Sequence, residues 1–422
     1  MAAGATASRS AAASAPGPLA GLQVVELGDG TAGPYAAKLL ADYGAEVVKI
    51  EAPGAGDSSR RRGPFPSGRP DPEWSGLFLY LNTNKYGLTL DVSGSAGRAV
   101  LERLLGWADT LVTNLPAETL RTWDLAPAAL RARHPRLVIT TITPFGLDGP
   151  CAGWRGDELV TYAMGGIAYG TPGMPDAAED LQREPPLHPA CFAAETIAGV
   201  AAATATLLAV FGRERTGEGC HADISQQAAV AVMQQRDVTT YSYAGVPYNR
   251  LLNPTTIGRM PNFYLPCRDG YVAVAAPMDH QWERLVEAMG NPDWARSPAF
   301  ADAAARSANW STLCLRLIEW TMTLTGNELF ALAERLRLPI FPFYPLGKMV
   351  DSEHVRERGS LVELEVGGHR ARMPGPPILM PLTPWALRRP APRLGEHTRV
   401  ILGEWLGYDD TALGRLSAAA VV

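Results

Sequence analysis

Short runs of β-branched and apolar residues alternate with helical patterns through the first half of the chain. Residues 22–27 form the first run and residues 46–51 the second, with a glycine-rich turn over 28–34 and a helical pattern over 35–43 between them. Continuous apolar runs are typical of buried parallel strands, so this order predicts a strand–turn–helix–strand unit. The amino terminus of its helix can hold an anion through free N–H groups. The turn, G-D-G-T-A-G, departs from strict dinucleotide-binding spacing, and a purely structural turn explains it equally well.

The alternation of strand and helix continues to about residue 224. Strands are predicted over 110–113, 137–141 and 221–224, and helices over 96–107, 127–133, 158–164 and about 195–211. Strands that alternate with helices favour a doubly wound sheet. The sequence therefore predicts an α/β fold with a large Rossmann-type domain.

A second, smaller domain is indicated by a change of amino-acid composition over residues 243–261, which are rich in Pro, Tyr and Asn. Beyond them, a hairpin is predicted over 262–275, helices over 281–289 and 309–323, and two final helices over 395–406 and 409–416. We therefore predict a large domain built from 19–240 and 345–422, a small α+β domain over 245–344, and a disordered leader over the Ala/Ser/Gly/Pro-rich residues 1–18.

The charge of the chain limits its partners. The net charge is -5 at pH 7, and this lack of a basic excess argues against nucleic acid. The three consecutive arginines at 60–62 can contact a phosphorylated small molecule or form a solvated loop.

Cysteine and histidine usage indicates a cytoplasmic protein without a metal site. The five cysteines are dispersed without a C-x-x-C pair, which fits free thiols in a reducing compartment. The seven histidines form neither an H-E-x-x-H motif nor a Cys/His cluster. The apolar run over 196–211 is stopped by charged residues at 213–215, short of the about 20 residues that a membrane span needs. We therefore expect a buried helix there and no membrane attachment.

Five motifs, taken in order and spacing, resemble one enzyme family. They are L-A-G-L-Q-V-V-E-L over 19–27 before A-G-P, G-A-E-V-V-K-I-E-A-P over 44–53, L-N-T-N-K over 81–85, T-G-E-G over 216–219 and L-G-E-H-T over 394–398. Together they resemble the family III CoA-transferases, the formyl-CoA-transferase-like CaiB/BaiF group, across nearly the whole chain.

The resemblance implies a fold and a reaction. The small domain is inserted in the large one, and two related chains form an interlocked dimer. A side-chain carboxylate attacks a CoA thioester, forms a mixed anhydride and then carries CoA as a thioester. CoA thioesters such as succinyl-CoA and organic acids are then substrates, and no permanently bound cofactor is expected. The protein partner is a second copy of the chain or a related subunit that carries the family's Asp.

Glu195 is the first candidate catalytic residue. In the resembled transferases the nucleophile is an Asp four residues before a Gly, in the helix ahead of T-G-x-G; here Glu195 and Gly199 occupy those positions. The longer side chain displaces the carboxylate, a large change for a preorganised site. Either Glu195 is the nucleophile of an adjusted site, or this chain is the non-catalytic subunit of a heteromer. A plain helix-terminal Glu, favoured by the helix dipole, is the structural interpretation.

The resemblance supplies further candidates. Glu158 matches a Glu near the CoA thioester of formyl-CoA transferase, and a helix-capping role explains it equally well. The candidate CoA-binding residues are Thr31, Ala32, Lys85, Asn114 and Arg155. Ala52 stands where an Arg often faces the nucleotide phosphates, so one charge-assisted contact is missing.

Two other functions compete with a CoA-transferase. A 2-methylacyl-CoA racemase would share the fold, but such enzymes use a His and an Asp as acid and base, and they have G-H-D where this chain has G-D-E over 156–158. A CoA-binding structural subunit without turnover is the other alternative.

Overall fold

The computed structural model describes residues 16–171, 187–245, 262–366 and 368–422. They divide into two units: the larger comprises the described parts of 1–168, 188–235 and 359–422, and the smaller those of 169–187 and 236–358. The smaller unit therefore extends beyond residues 245–344, and within it Lys348 Nζ donates to Asn327 Oδ1 at 2.8 Å. Of the leader expected over residues 1–18, residues 1–15 lie outside the described part of the chain.

A six-stranded parallel sheet forms the centre of the larger unit, in the order β3-β2-β1-β4-β5-β6. Both faces are covered, so the inner strands are almost entirely buried. Strand order reverses beside β1, which pairs with both β2 and β4. The loops after β1 and β4 therefore meet at the switch point where such sheets bind ligands. The strands are β1 (Gln23–Leu27), β2 (Glu46–Glu51), β3 (Lys85–Thr89), β4 (Thr110–Thr113), β5 (Val138–Thr143) and β6 (His221–Ser225).

Helices cover each face of this sheet. Successive strand residues point to opposite faces, so Val24 packs with the helix after β1 and the long helix, whereas Val25 packs with helices of the other layer. The helices of the larger unit are α1 (Ala32–Asp42), α2 (Gly76–Leu81), α3 (Ser95–Trp107), α4 (Ala117–Thr122), α5 (Pro127–Arg133), α6 (Glu158–Met164), α7 (Ala193–Thr216) and α8 (Gln226–Val232), with α9 (Gln235–Ala244) at the boundary between the units.

Helix α7 is longer than the sequence predicted. The charged residues expected to end it lie inside the helix, because Arg213 pairs with Asp109 at 2.9 Å, and the helix ends at Gly217 with φ 78°. By length and composition it is the one helix within the described ranges that would suffice to cross a membrane. The expected burial of this helix is partial: Ala198 and Ala202 are buried in the core, but only 33% of its most apolar stretch is buried.

The carboxy-terminal segment covers the outer edge of β3. His397 Nδ1 accepts from Gly87 N at 3.1 Å, His397 N donates to Gly87 O at 2.9 Å, and Thr398 Oγ1 accepts from Thr89 N at 3.2 Å. The prediction of a helix that starts at residue 395 was therefore wrong for its first turn, where Gly395 has φ 69°. A π-helix follows over Val400–Trp405. The other elements of this segment are the antiparallel pair β10 (Leu361–Val366) and β11 (His369–Pro374) and the last helix, α16 (Asp410–Ala418).

The smaller unit is an α+β assembly with its own core. The predicted hairpin forms the antiparallel strands β7 (Asn262–Cys267) and β8 (Gly270–Ala275), and β9 (Ile340–Pro342) joins β8. Apolar side chains from these strands and from three of the unit's helices form one buried cluster. The helices are α10 (Asp279–Ala288), α11 (Ala303–Ala308), α12 (Trp310–Thr321), α13 (Gly326–Leu336), α14 (Leu346–Val350) and α15 (Glu353–Arg358).

Candidate active site

The amino-terminal turns of α1 and α7 meet at Gly199. A Cβ atom on Gly199 would lie 3.0 Å from both Ala32 O and Tyr35 Cδ1, so any other residue there would force its neighbours in α1 to shift by a few tenths of an ångström. Glu195 lies four residues before Gly199 and therefore on the same face of α7. The helix contact thus brings Glu195 to Thr31, the residue that precedes α1.

Glu195 presents a carboxylate oxygen without a partner. Its Oε2 atom and the Thr31 hydroxyl are both buried and lie near each other, and neither makes a hydrogen bond of ordinary length and angle within the described part of the chain. Burial raises the pKa of the Glu195 carboxyl above its ordinary value; the Thr31 hydroxyl and the Arg62 charge oppose this shift, and the carboxylates of Glu158 and Asp157 add to it. Glu195 is therefore a partly desolvated carboxyl group with one buried oxygen that no hydrogen bond holds.

Glu158 caps α7 from a neighbouring helix. Its Oε1 accepts from Ala194 N at 3.0 Å and its Oε2 accepts from Glu195 N at 2.9 Å. Such first-turn N–H groups are usually satisfied by the side chain at the N-cap, but Phe192 occupies that position and cannot accept. The start of α6 is capped separately by Asp157, which accepts from Val160 N at 3.2 Å. Glu158 therefore fixes the turn that carries Glu195.

His188 completes the surroundings of Glu158. Its Nε2 lies 3.0 Å from Glu158 Oε1, and its ring meets Tyr162 edge-on with 4.9 Å between ring centroids. The sequence analysis missed this residue. No motif marks it, and only its position shortly before Glu195 in the chain could have drawn attention to it.

Asn114 clamps the loop between β1 and α1. Its Nδ2 donates to Asp29 O at 2.7 Å, and its Oδ1 accepts from Asp29 N at 2.8 Å. A Cβ atom on Gly28 or Gly33 would lie 2.9 Å from Asn114 Oδ1, so both glycines make room for this side chain. The Asn114 side chain thus holds the loop that ends at Thr31.

A buried network of charges lies beneath that loop. Lys49 Nζ pairs with Glu26 at 2.8 Å and with Asp57 at 2.7 Å, and Asp57 Oδ1 accepts from Gly30 N at 3.2 Å. Burial alone would lower the pKa of Lys49, but Asp57, Glu26 and Glu51 together raise it well above its ordinary value. Lys49 is therefore a permanent cation that anchors the loop through Asp57.

Lys85, a candidate CoA contact, belongs to the same network. It is fully buried, pairs with Glu26 Oε2 at 2.6 Å and donates to Pro34 O at 2.7 Å. Burial lowers the pKa of Lys85 to about 8, with Glu26 opposing the shift and Lys49 adding to it. Its position supports α1 from below.

The three consecutive arginines diverge. Arg60 is buried, pairs with Glu51 at 2.7 Å and stacks on Phe78 with 3.6 Å from its guanidinium carbon to the ring centroid. Arg61 is exposed and donates to a backbone carbonyl of the same loop at 2.6 Å. Arg62 is exposed and lies over the Phe192 ring at 5.6 Å. The triplet is therefore neither a shared phosphate cluster nor a uniformly solvated loop.

The structure brings together Thr31, Glu158 and Glu195 among the expected site residues. Ala32 is 1% exposed and packs against α7, so only its backbone can meet a ligand. Arg155 is exposed in the segment before α6. Three metal-ligating side chains do not cluster anywhere in the described ranges. The arrangement places the Glu195 carboxylate beside the start of α1, while the first-turn N–H groups of Ala194 and Glu195 in α7 are already bonded to Glu158.

Comparison with known proteins points to one family. Residues 19–398 match the model of CoA-transferase family III. The chain is 30% identical to the succinyl-CoA–D-citramalate CoA-transferase of Chloroflexus aurantiacus, over 96% of this chain and 98% of that protein. It is also 30% identical to the beta subunit of the succinyl-CoA–L-malate CoA-transferase of that organism, with the same coverage of 96% and 98%. Among solved structures, a CAIB/BAIF family protein from Brucella suis superposes with a TM-score of 0.80 at 28% identity, over 92% of this chain and 99% of that one.

Proposed function

The chain belongs to CoA-transferase family III and is an enzyme whose substrates are CoA thioesters, and on this premise we propose that Glu195 is the carboxylate that carries CoA between acids. The observation that carries the proposal is the unpartnered Oε2 of Glu195, buried beside Thr31 where two helices begin. A structural glutamate at a helix start would satisfy its carboxylate with N–H groups, and Glu158 already fills that role here.

The reaction consists of paired displacements at carbonyl carbon. A carboxylate oxygen of Glu195 attacks the thioester carbonyl, the C–S bond breaks, and CoA leaves as a thiolate while the acyl group forms a mixed anhydride with Glu195. The thiolate then attacks the Glu195 carbonyl carbon, the C–O bond breaks, and the donor acid leaves as a carboxylate. An acceptor carboxylate repeats the two steps in reverse. Each step conserves charge, so neither a cofactor nor a net proton transfer is needed.

The surrounding groups favour each displacement. Partial burial strips water from the Glu195 carboxylate and leaves it a stronger nucleophile, and its raised pKa reflects this desolvation. The Thr31 hydroxyl lies beside the carboxylate and can donate to the oxyanion that develops there. Glu158 and His188 hold the turn in place, so the carboxylate does not have to be ordered during the reaction.

Succinyl-CoA is the proposed donor and a short dicarboxylic acid the proposed acceptor. The relatives described above are named for transfer from succinyl-CoA to D-citramalate and to L-malate. For CoA itself, the exposed Arg155 and the backbone of the loop at Thr31 and Ala32 are the candidate contacts. Asn114 contributes by holding that loop. A racemase is disfavoured, since residues 156–158 are G-D-E without the histidine of such enzymes, and His188 is engaged by Glu158.

A second candidate function is that of a non-catalytic subunit. Two observations favour it: Glu stands where the resembled enzymes have Asp, and one relative is named as the beta subunit of a two-subunit enzyme. In this case the Asp of a partner subunit would carry CoA, and Glu195 would remain unmodified.

We also propose that the chain works in the cytoplasm as an interlocked dimer, either with itself or with such a subunit, with its small domain inserted in the large one. Apolar side chains on α7 and α8 are exposed, which supports a partner that covers them. They are Val200 at 46%, Leu208 at 67% and Phe211 at 66% on α7, with Val232 at 71% on α8.

Covalent labelling of the isolated chain tests the role of Glu195. The purified protein is incubated with succinyl-CoA, analysed as intact protein by mass spectrometry, treated with hydroxylamine and mapped by peptides. We expect a CoA adduct that becomes a hydroxamate at Glu195, and no adduct in the Glu195→Gln variant. Glu195→Asp is the matched control for side-chain length. A folded wild-type chain that stays unmodified, while a co-purified related subunit is labelled, would establish the second candidate instead.

A further inference from the structure

We propose that Arg62 binds the second carboxylate of a dicarboxylic acyl group while that group is attached to Glu195. Arg62 would then select dicarboxylic over monocarboxylic acyl groups. This inference rests on the proposed role of Glu195, and it assigns the substrate class of that site to one residue.

The backbone of Arg62 is fixed. Its N–H donates to Ser59 O at 3.1 Å, and its carbonyl accepts from Ser75 Oγ at 2.5 Å. Ser59 is itself held by Asp57, and Arg60 is buried against Glu51. The Arg62 side chain therefore starts from a rigid position, as a residue that selects substrates should.

The guanidinium of Arg62 has a neighbour but no anionic partner. It lies 5.6 Å above the ring of Phe192, and no carboxylate of the described residues lies within ion-pair distance of it. Arg60 and Arg213, by contrast, each pair with a carboxylate. A cation held over an aromatic ring and left unpaired is available to an incoming anion.

The position of Phe192 places this cation near the reacting carboxylate. Phe192 precedes Glu195 by three residues, which corresponds to about 4.5 Å along the helix. The charge of Arg62 already favours the ionised form of Glu195. When the anhydride forms, Glu195 loses its negative charge, and the second carboxylate of the acyl group becomes the anion beside Arg62. A planar guanidinium can bind that carboxylate through two parallel hydrogen bonds.

The test compares two acyl-CoA substrates that differ in this carboxylate alone. The value of kcat/KM for adduct formation at Glu195 is measured with succinyl-CoA and with butyryl-CoA in wild type, Arg62→Gln and Arg62→Lys. We expect Arg62→Gln to lower the value for succinyl-CoA by about 10- to 100-fold and to leave the value for butyryl-CoA within about twofold. Arg62→Lys keeps the positive charge but lacks the planar guanidinium, so its kcat/KM for succinyl-CoA should lie between those of wild type and Arg62→Gln. Arg61→Gln is the matched control, because Arg61 is exposed and donates to a backbone carbonyl of its own loop; we expect both values to stay unchanged.

Equal losses with both substrates would overturn the proposal, because Arg62 would then act on the CoA portion or on Glu195 itself. Unchanged rates with both would overturn it as well. Calorimetric affinities of the two acyl-CoAs for wild type and Arg62→Gln keep the test independent of turnover. A wild-type chain that forms no adduct refutes the role of Glu195, whereas the dicarboxylate selection by Arg62 is refuted by a variant that weakens binding of both acyl-CoAs equally or of neither.

Discussion

Replacing Glu158 by glutamine tests how strongly the start of α7 depends on a carboxylate supplied by another helix. Both oxygens accept from first-turn N–H groups, at 3.0 Å from Ala194 N and 2.9 Å from Glu195 N. Glutamine keeps one acceptor and turns an NH2 group towards the other N–H. A hydrogen bond to a charged group contributes about 1.5–3 kcal/mol, and a negative charge at a partly buried helix start adds up to about 2 kcal/mol. Glu158→Gln should therefore destabilise the larger unit by about 2–4 kcal/mol.

Two assays separate stability from chemistry in this variant. About 2 °C is lost per kcal/mol in a unit of this size, so the unfolding midpoint should fall by about 4–8 °C. The rate of adduct formation at Glu195 should fall by about 10²-fold at temperatures where the variant is folded, because the Glu195 carboxylate is no longer held in place. Asp157→Asn is the control: it removes the charge of a neighbouring exposed side chain that caps α6, and because asparagine caps helices about as well as aspartate, it should leave stability and rate nearly unchanged. If Glu158→Gln had the same unfolding midpoint and the same rate as wild type, the start of α7 would not depend on the Glu158 carboxylate.

Three further predictions concern the same site. Gly199→Ala places a Cβ atom 3.0 Å from Ala32 O and should cost about 1–3 kcal/mol while slowing adduct formation; an unfolding midpoint and a rate at or above wild type would contradict the close helix contact. Asn114→Ala frees both backbone groups of Asp29 and should raise KM for acyl-CoA while costing about 1–3 kcal/mol; an unchanged KM in steady-state kinetics would show that the loop needs no clamp. The raised pKa of Glu195 predicts that the acid limb of the rate profile lies above the ordinary range of glutamate, because the protonated form cannot attack. A raised folded-state pKa contributes stability below the unfolded value that is lost as pH rises through the folded value, so Glu195→Gln should gain stability over wild type at pH 7 but not at pH 4, as thermal unfolding at the two pH values would show.

The strands that could be predicted from the sequence are those that consist mainly of apolar residues. β1, β2 and β4 lie within one residue of their predicted ends, because strands buried on both faces consist of apolar runs. β3 was not predicted, since Lys85–Thr89 contains a lysine, a tyrosine and a glycine. Its burial depends on a partner distant in sequence, the Glu26 carboxylate, which no local pattern reveals.

The motifs that identified the family carry structure more than chemistry. Asn84 holds the carboxy-terminal segment through Arg388 N and Arg389 N, and His397 pairs with β3. Glu195 and Glu158 could be found by spacing within such motifs. The position of Arg62 over Phe192 and the contact of His188 with Glu158 could not, because each depends on which segments the fold brings together.

The cover over the outer edge of β3 has a consequence for synthesis on the ribosome. Residues 85–89 emerge early, but the partners of Gly87 and Thr89 are His397 and Thr398, more than 300 positions later. At about 5–20 residues per second, the strand waits roughly 15–60 s for its cover. Throughout that interval its backbone donors and acceptors are open to pairing with another nascent chain. Yield in the cell should therefore depend on translation speed and on chaperones that shield this edge.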